Sequence, residues 1–253
     1  MSLARTAADD VLEVLHTVVT QVHEALEDLT DWGRTDGHDG QYRHDVVADD
    51  VALRLLEDRG YGVLSEESGL HHPEREILVV IDPVDGSTNA SRGIPWWATS
   101  VCALDAEGPL AAVVANQASG RRYQAVRGGG ALADGQAIGP SGCSTMRDAI
   151  VAVSGYPTRY LGWSQYRSLG AAALDICAVA DGTLDGFLDC AGHSLAPWDY
   201  LGALLVCKEA GAFVEDAYGR DLVVREHGPR RTPIAGATAE LLVELIEGRL
   251  LLA

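Results

Sequence analysis

Ile77-Leu78-Val79-Val80-Ile81-Asp82-Pro83-Val84-Asp85-Gly86-Ser87-Thr88-Asn89 changes character twice within one short stretch. The apolar run from Ile77 to Ile81 is continuous rather than alternating, which predicts a strand buried on both faces. Asp82 then leaves the strand, Pro83 fixes the turn, and Asp85 follows three residues on. The two carboxylates can therefore converge, with the Val84 carbonyl left free as a further oxygen ligand. Gly86-Ser87-Thr88-Asn89 reads as a helix start, where free backbone N–H groups and the positive dipole end favour an anion. Converging carboxylates raise each other's affinity for protons unless a cation neutralises them, so the arrangement calls for hard divalent ions, magnesium first. Taken alone, Asp-Pro and Asp-Gly are ordinary turn dipeptides, and a capped turn accounts for both acids.

Upstream, Ser65-Glu66-Glu67-Ser68-Gly69 supplies a second acidic group on the other side of the same predicted strand. Before it, apolar residues from Val11 to Leu29 recur at helical spacing and predict a long amphipathic first helix. A second helix is expected near Val46 to Arg59, ending at Gly60. The Asp- and Gly-rich run from Thr30 to Gln41 between them is expected to be a loop near a site. Downstream, strands are expected near Trp97 to Leu104, Leu110 to Asn116 and Arg121 to Val126, joined by short turns as an antiparallel meander. The turn-rich segment Gly128 to Gly142 is the expected boundary between an N-terminal half, about 1–140, and a C-terminal half, about 141–253. The second half alternates strand (Ala149 to Ser154), helix (about Tyr166 to Ala180), strand (Leu184 to Leu188), helix (Trp198 to Ala210), strand (Ala212 to Val214), strand (Pro233 to Gly236) and helix (Thr238 to Leu252). Such alternation predicts α and β layers in an α/β fold, read as one domain over 1–253. A third chemical element, Ala196-Pro197-Trp198-Asp199-Tyr200, opens one of these helices. Asp199 falls in its first turn, where an acid also simply complements the helix dipole.

Composition narrows the function classes. The 253 residues hold 19 Lys+Arg against 37 Asp+Glu, a net charge of −18. A field of that sign disfavours nucleic acid as a partner. The hydrophobic share of 47% belongs to a globular chain. No stretch approaches the roughly 20 apolar residues of a membrane span, and MSLARTAADD lacks the features of a secretory signal, so a cytoplasmic location is expected. Five scattered cysteines without a CxxC pair read as reduced thiols. The one lysine, Lys208, is followed by neither Ser nor Thr, which removes a Walker-type phosphate loop. The adjacent pair His71-His72 reads as a surface loop, since neighbouring side chains diverge.

E-E-S-G, then a strand ending D-P-V-D-G-S-T-N, then P-W-D on a helix start, in that order, resembles the inositol monophosphatase family. The resemblance runs from the second helix to Lys208-Glu209-Ala210-Gly211. It implies a layered αβαβα sandwich of the inositol monophosphatase/fructose-1,6-bisphosphatase type, a homodimer, and two to three magnesium ions per site. By that resemblance Glu66, Asp82 and the Val84 carbonyl hold one ion, and Asp82, Asp85 and Asp199 a second. A weaker third lies near Glu66 and Glu67. Ser87 stands where the family usually has Thr, and Asp49 matches the acidic partner in the second helix. Asp49, Glu66 and Ser87 are then the catalytic group that orients and deprotonates a water attacking phosphorus in line, with no covalent enzyme intermediate. The phosphate is expected on Gly86, Ser87 and Thr88. Asp189, Ala171 and His193 are the expected substrate contacts; Asp189 replaces the family's usual Glu and Ala171 its usual hydroxyl residue. The implied activity is a magnesium-dependent phosphomonoesterase on a small polyol or sugar phosphate, inositol monophosphate first, with histidinol phosphate and fructose 1,6-bisphosphate as alternatives. A regulatory protein-binding member of the same fold is the reading from another class.

Overall fold

In the computed structural model, residues 7–35 and 41–252 are described. Helix α1 (Ala7–Glu27) buries Val11, Val14, Leu15, Val18, Val19, Val22 and Leu26 along one stripe. Residues 36–40 of the expected Thr30 to Gln41 loop lie outside the described residues, while its two ends meet through the Thr35 N–H bond to the Gln41 carbonyl, 2.9 Å. Helix α2 (Arg43–Asp58) follows, starting three residues before the expected position. Asp45 accepts the Tyr42 N–H at 3.0 Å and so closes the first turn early.

Among the described residues, β1 (Gly62–Ser65), β2 (Gly69–His71), β3 (Leu78–Asp85), β4 (Ala98–Asp105), β5 (Gly108–Asn116), β6 (Arg122–Val126), β7 (Gly130–Ala133) and β8 (Gln136–Ala137) form an eight-stranded sheet in the order β2-β1-β3-β4-β5-β6-β7-β8. The short helix α3 (Ser87–Arg92) connects β3 to β4. The strands from β3 onward pair antiparallel, the expected meander, whereas β1 pairs parallel with β3. That parallel register, Ser65 opposite Ile81, ends both strands on the same side. Glu66 therefore leaves β1 beside Asp82, while β3 runs on past the turn expected at Pro83: Asp82 still pairs with Ser100 of β4, the register shifts between Asp82 and Asp85, and the strand ends at Asp85. Within the turn-rich segment Gly128 to Gly142, β7 and β8 extend the first sheet.

The second sheet is five-stranded among the described residues, in the order β10-β9-β11-β13-β12. Its strands are β9 (Ile150–Ser154), β10 (Gln165–Arg167), β11 (Gly186–Asp189), β12 (Phe213–Asp216) and β13 (Pro233–Gly236). Helix α4 (Ala172–Ala180) starts six residues later than expected, because Tyr166 is in β10, paired parallel with β9, and Gly170 turns left-handed at φ 86°. Helices α5 (Pro197–Ala210) and α6 (Ala239–Leu250) match their expected segments.

The strand alternation decides the layering. On β3, Val79 and Ile81 join α1 and α2 in one core, while Leu78 and Val80 join α4 and α5 in another. The second core continues to Phe187 and Ala235 of the second sheet, whose opposite face packs Val151, Val153, Leu188 and Ile234 against α6. The order is helix, sheet, helix, sheet, helix. The continuous apolar run of β3 is thus buried on both faces, as its composition requires.

Candidate active site

Four carboxylates from three segments come together where β1 and β3 end. Asp82 and Asp85 come from the end of β3, Glu66 follows β1, and Asp199 lies in the first turn of α5. Asp82 is buried, and its carboxyl is held well above the ordinary range, first by lost hydration and then by the charges of Glu66, Asp85 and Asp199. Asp85 is raised in the same way, by burial and then by Asp199. Both of its oxygens accept N–H groups at the start of α4, Ala172 at 3.1 Å and Ala173 at 2.8 Å. Glu66 stands at the open edge in contact with solvent, yet desolvation on its protein side and the Asp199 charge still push it up. Asp199 is half-buried and raised by desolvation; one oxygen accepts the Ala196 N–H at 2.6 Å. It therefore caps its own helix while presenting charge to the cluster. Asp175 adds a further buried carboxyl behind Asp85, bonded by Trp96 Nε1–H at 2.8 Å and pushed up to about 7 by burial.

The turn itself is built on one glycine. Gly86 adopts φ 90°, and a Cβ there would meet the Gly170 carbonyl at 3.1 Å, the Ala171 Cβ at 3.2 Å and the Trp96 carbonyl at 3.2 Å. Only glycine combines that conformation with that approach. It lets α3 begin at Ser87, immediately beside the carboxylates.

Several expected contacts differ. Ser87 Oγ lies 2.8 Å from Asp45 Oδ1 and 2.9 Å from the Val84 carbonyl, so its single proton is shared between them. The acidic partner of Ser87 is therefore Asp45 rather than Asp49. Asp49 instead accepts a hydrogen bond from the buried Ser65 hydroxyl. The two acids lie one helical turn apart on the same face of α2, and spacing alone could not choose between them. The Val84 carbonyl is engaged by Ser87 rather than free, which leaves it one lone pair. Glu67 accepts a bond from Gln41 Nε2. Thr88 is exposed, with its hydroxyl 3.5 Å from Tyr42 Oη.

The three residues expected to contact substrate each have partners within the chain. Asp189 is fully buried, accepting the Ala191 N–H at 3.0 Å and the Ser194 hydroxyl at 3.2 Å, so it holds the Cys190 to Leu195 loop. Ala171 is buried at the start of α4 against the Gly86 turn. The small-residue run there packs tightly and carries the N–H groups that hold Asp85. His193 is exposed, stacked on Tyr218 at 5.0 Å with Nδ1 2.9 Å from Arg220 Nη1.

The residue chemistry fits a hard dication: an all-oxygen set whose members raise one another's proton affinity and gain from a positive charge. Among the described residues, no group of three or more His, Cys, Asp or Glu is drawn close enough to hold an ion as it stands. Binding would have to pull the carboxylates inward, which the solvent-facing Glu66 and half-buried Asp199 can accommodate.

Comparison with known proteins places this geometry. The sequence profile of the inositol monophosphatase family matches residues 1–250. The chain belongs to that family. Within the inositol monophosphatase family, it is 31% identical over 252 residues to a fructose-1,6-bisphosphatase/inositol-1-monophosphatase of Archaeoglobus fulgidus, covering 94% of this chain and 97% of that one. It is 35% identical over 193 residues to an inositol-1-monophosphatase of Mesorhizobium japonicum, covering 69% and 71%. A solved Pyrococcus horikoshii structure, described as a hypothetical protein with similarities for inositol-1 monophosphatase, superposes with a TM-score of 0.87 at 25% identity over 96% of this chain and 99% of that one. The fold is that of the inositol monophosphatase and fructose-1,6-bisphosphatase proteins, and the enzyme class is phosphoric monoester hydrolase. Enzymes of the family are generally metal-dependent.

Proposed function

We propose that the protein is a magnesium-dependent phosphomonoesterase acting on small polyol and sugar phosphates, with inositol 1-phosphate among its substrates. The observation that carries this reading is the gathering of Glu66, Asp82, Asp85 and Asp199 beside the Gly86-Ser87 turn. These four, with Glu67 and the remaining lone pair of the Val84 carbonyl, would hold two to three magnesium ions. When bound, magnesium supplies Lewis acidity that activates water and neutralises the phosphate. The backbone N–H groups of Gly86, Ser87 and Thr88 would face the phosphate oxygens.

The proton of the attacking water passes to Ser87 Oγ as the hydroxyl proton moves to Asp45 Oδ1, 2.8 Å away. Burial raises the Asp45 carboxyl, which improves it as a proton acceptor. Glu66 orients the water from the open side. Attack is in line on phosphorus, and the departing alkoxide leaves beside Asp199, taking its proton from solvent. A fructose-1,6-bisphosphatase activity is the second reading, supported by relatives that carry both names. A cytoplasmic homodimer completes the proposal; sedimentation checks the association, and no described helix is long and apolar enough to cross a membrane.

The test is phosphate release from inositol 1-phosphate and fructose 1,6-bisphosphate, with and without magnesium, in the wild type and in Asp82→Asn. The expected outcome is magnesium-dependent turnover that falls by about 10²-fold or more in the variant. Unchanged turnover in Asp82→Asn would remove the metal reading.

A further inference from the structure

The segment between β12 and β13 brings two basic side chains over the open side of the carboxylate cluster. His227 Nε2 lies 3.1 Å from the Glu66 carbonyl oxygen, and its ring sits 4.7 Å from that of Trp198. The Arg230 guanidinium carbon lies over the Trp198 ring at 5.1 Å. Asp199 follows Trp198 in the first turn of α5, and Arg230 lies near enough for its positive charge to act on the Asp199 carboxylate.

The guanidinium is fixed from one side only. Nη1 donates to the carbonyls of His227 at 2.7 Å, Gly228 at 3.1 Å and Pro229 at 3.3 Å, all in its own loop. Among the described residues, Nε and Nη2 have no acceptor. Bracing the loop requires only Nη1, yet an adjacent pair of donors stays open. Such an edge, held rigid on an aromatic face, matches a carboxylate or phosphate in two-point fashion. In a protein of net charge −18, a second anionic group on the substrate would be repelled unless a local cation met it. On the proposed reading the scissile phosphate sits at the Gly86-Ser87 turn and the leaving group departs beside Asp199, the carboxylate on which Arg230 acts. Arg230 therefore faces the body of the substrate.

Resting on the phosphomonoesterase reading, we propose that Arg230 receives a second phosphate on the leaving-group side of the substrate, so that the site favours sugar bisphosphates over monophosphates of neutral polyols. Arg230 is then a specificity-determining residue and takes no part in bond cleavage.

The experiment compares kcat and KM for fructose 1,6-bisphosphate and inositol 1-phosphate at saturating magnesium in the wild type, Arg230→Gln and Arg230→Lys. The expected result is a fall of about 10- to 100-fold in the ratio of the two specificity constants in Arg230→Gln, carried by the KM for the bisphosphate. Arg230→Lys, which keeps the charge and loses the fork, should lie between; it also serves if the glutamine variant does not fold. A wild type that hydrolyses both esters, with the ratio unchanged in both variants, overturns this inference alone. That includes both substrates losing activity together, the pattern of a loop-bracing arginine. A wild type that releases phosphate from neither ester overturns the functional reading and this inference with it.

Discussion

Asp45 and Asp49 carry opposite expectations although they lie one turn apart on α2. Asp45 reaches Ser87 Oγ at 2.8 Å beside the Gly86 turn, whereas Asp49 is tied to the buried Ser65 hydroxyl. Asp45→Asn should lower kcat by about 10²- to 10⁴-fold, the range for losing a positioned proton acceptor, with the melting temperature little changed. Ser87→Ala should produce a comparable loss, and the double variant should be far from additive, because both act on one proton path. Asp49→Asn should act chiefly on stability, costing about 1–3 kcal/mol in urea unfolding as a buried bond partner is disturbed. Steady-state kinetics beside denaturation curves separate the two. If Asp49→Asn abolishes turnover while Asp45→Asn spares it, the pairing deduced from the geometry is wrong.

At the scale of elements, the junction of β3, α3 and α4 is a single unit. The left-handed Gly86 lets β3 turn into α3, its missing Cβ leaves room for Gly170 and Ala171, and the first N–H groups of α4 hold Asp85. Gly86→Ala should therefore cost about 1–3 kcal/mol of stability through backbone strain alone. It should also reduce magnesium affinity, since pushing α4 away removes the donors on Asp85. Urea unfolding and calorimetric magnesium titration measure the two losses. The same junction explains why the expected helix from Tyr166 began too early. Its periodic apolar content was visible, but residues 165–167 are drawn into β10 by pairing with β9, a contact with a strand some fifteen residues away.

At the scale of the whole molecule, two groups of titrating residues act in opposite directions. His44 is buried, with Nε2 3.4 Å from Asp45 Oδ1, and burial outweighs its polar neighbours to lower its pKa to about 4. The unfolded chain takes up this proton near pH 6.5, before the folded protein does. Stability is therefore lost as pH falls from about 6.5 towards 4, with a slope approaching about 1.4 kcal/mol per pH unit. His44→Phe should flatten that limb. The carboxylate cluster has the other sign: its folded-state pKa values are raised, to about 7 at Asp199 and about 8 at Glu66. Its contribution is present below the unfolded carboxylate range and is lost as pH rises through 7 to 8. Metal-free protein should therefore melt lower at pH 8 than at pH 6.5. Magnesium should restore more at the higher pH, and Asp82→Asn should reduce that gain. Scanning calorimetry across pH with and without magnesium reads both limbs; a magnesium effect independent of pH would contradict the charge argument.

Local and periodic features were legible in the residue order: the buried strand with its acidic end, the amphipathic first helix, the meander, and the order of motifs that marks the family. Those depend on residue spacing within one segment, which backbone geometry translates directly into faces and turns. The tertiary structure alone decided which partner each side chain takes. Ser87 pairs with Asp45 across 42 positions of the chain, Asp189 turns inward to hold its loop, and Arg230 lies over Trp198 beside the acids. Such choices turn on ångström-scale packing between segments far apart in sequence, where two acids on one helix face are equivalent until the neighbouring strand arrives.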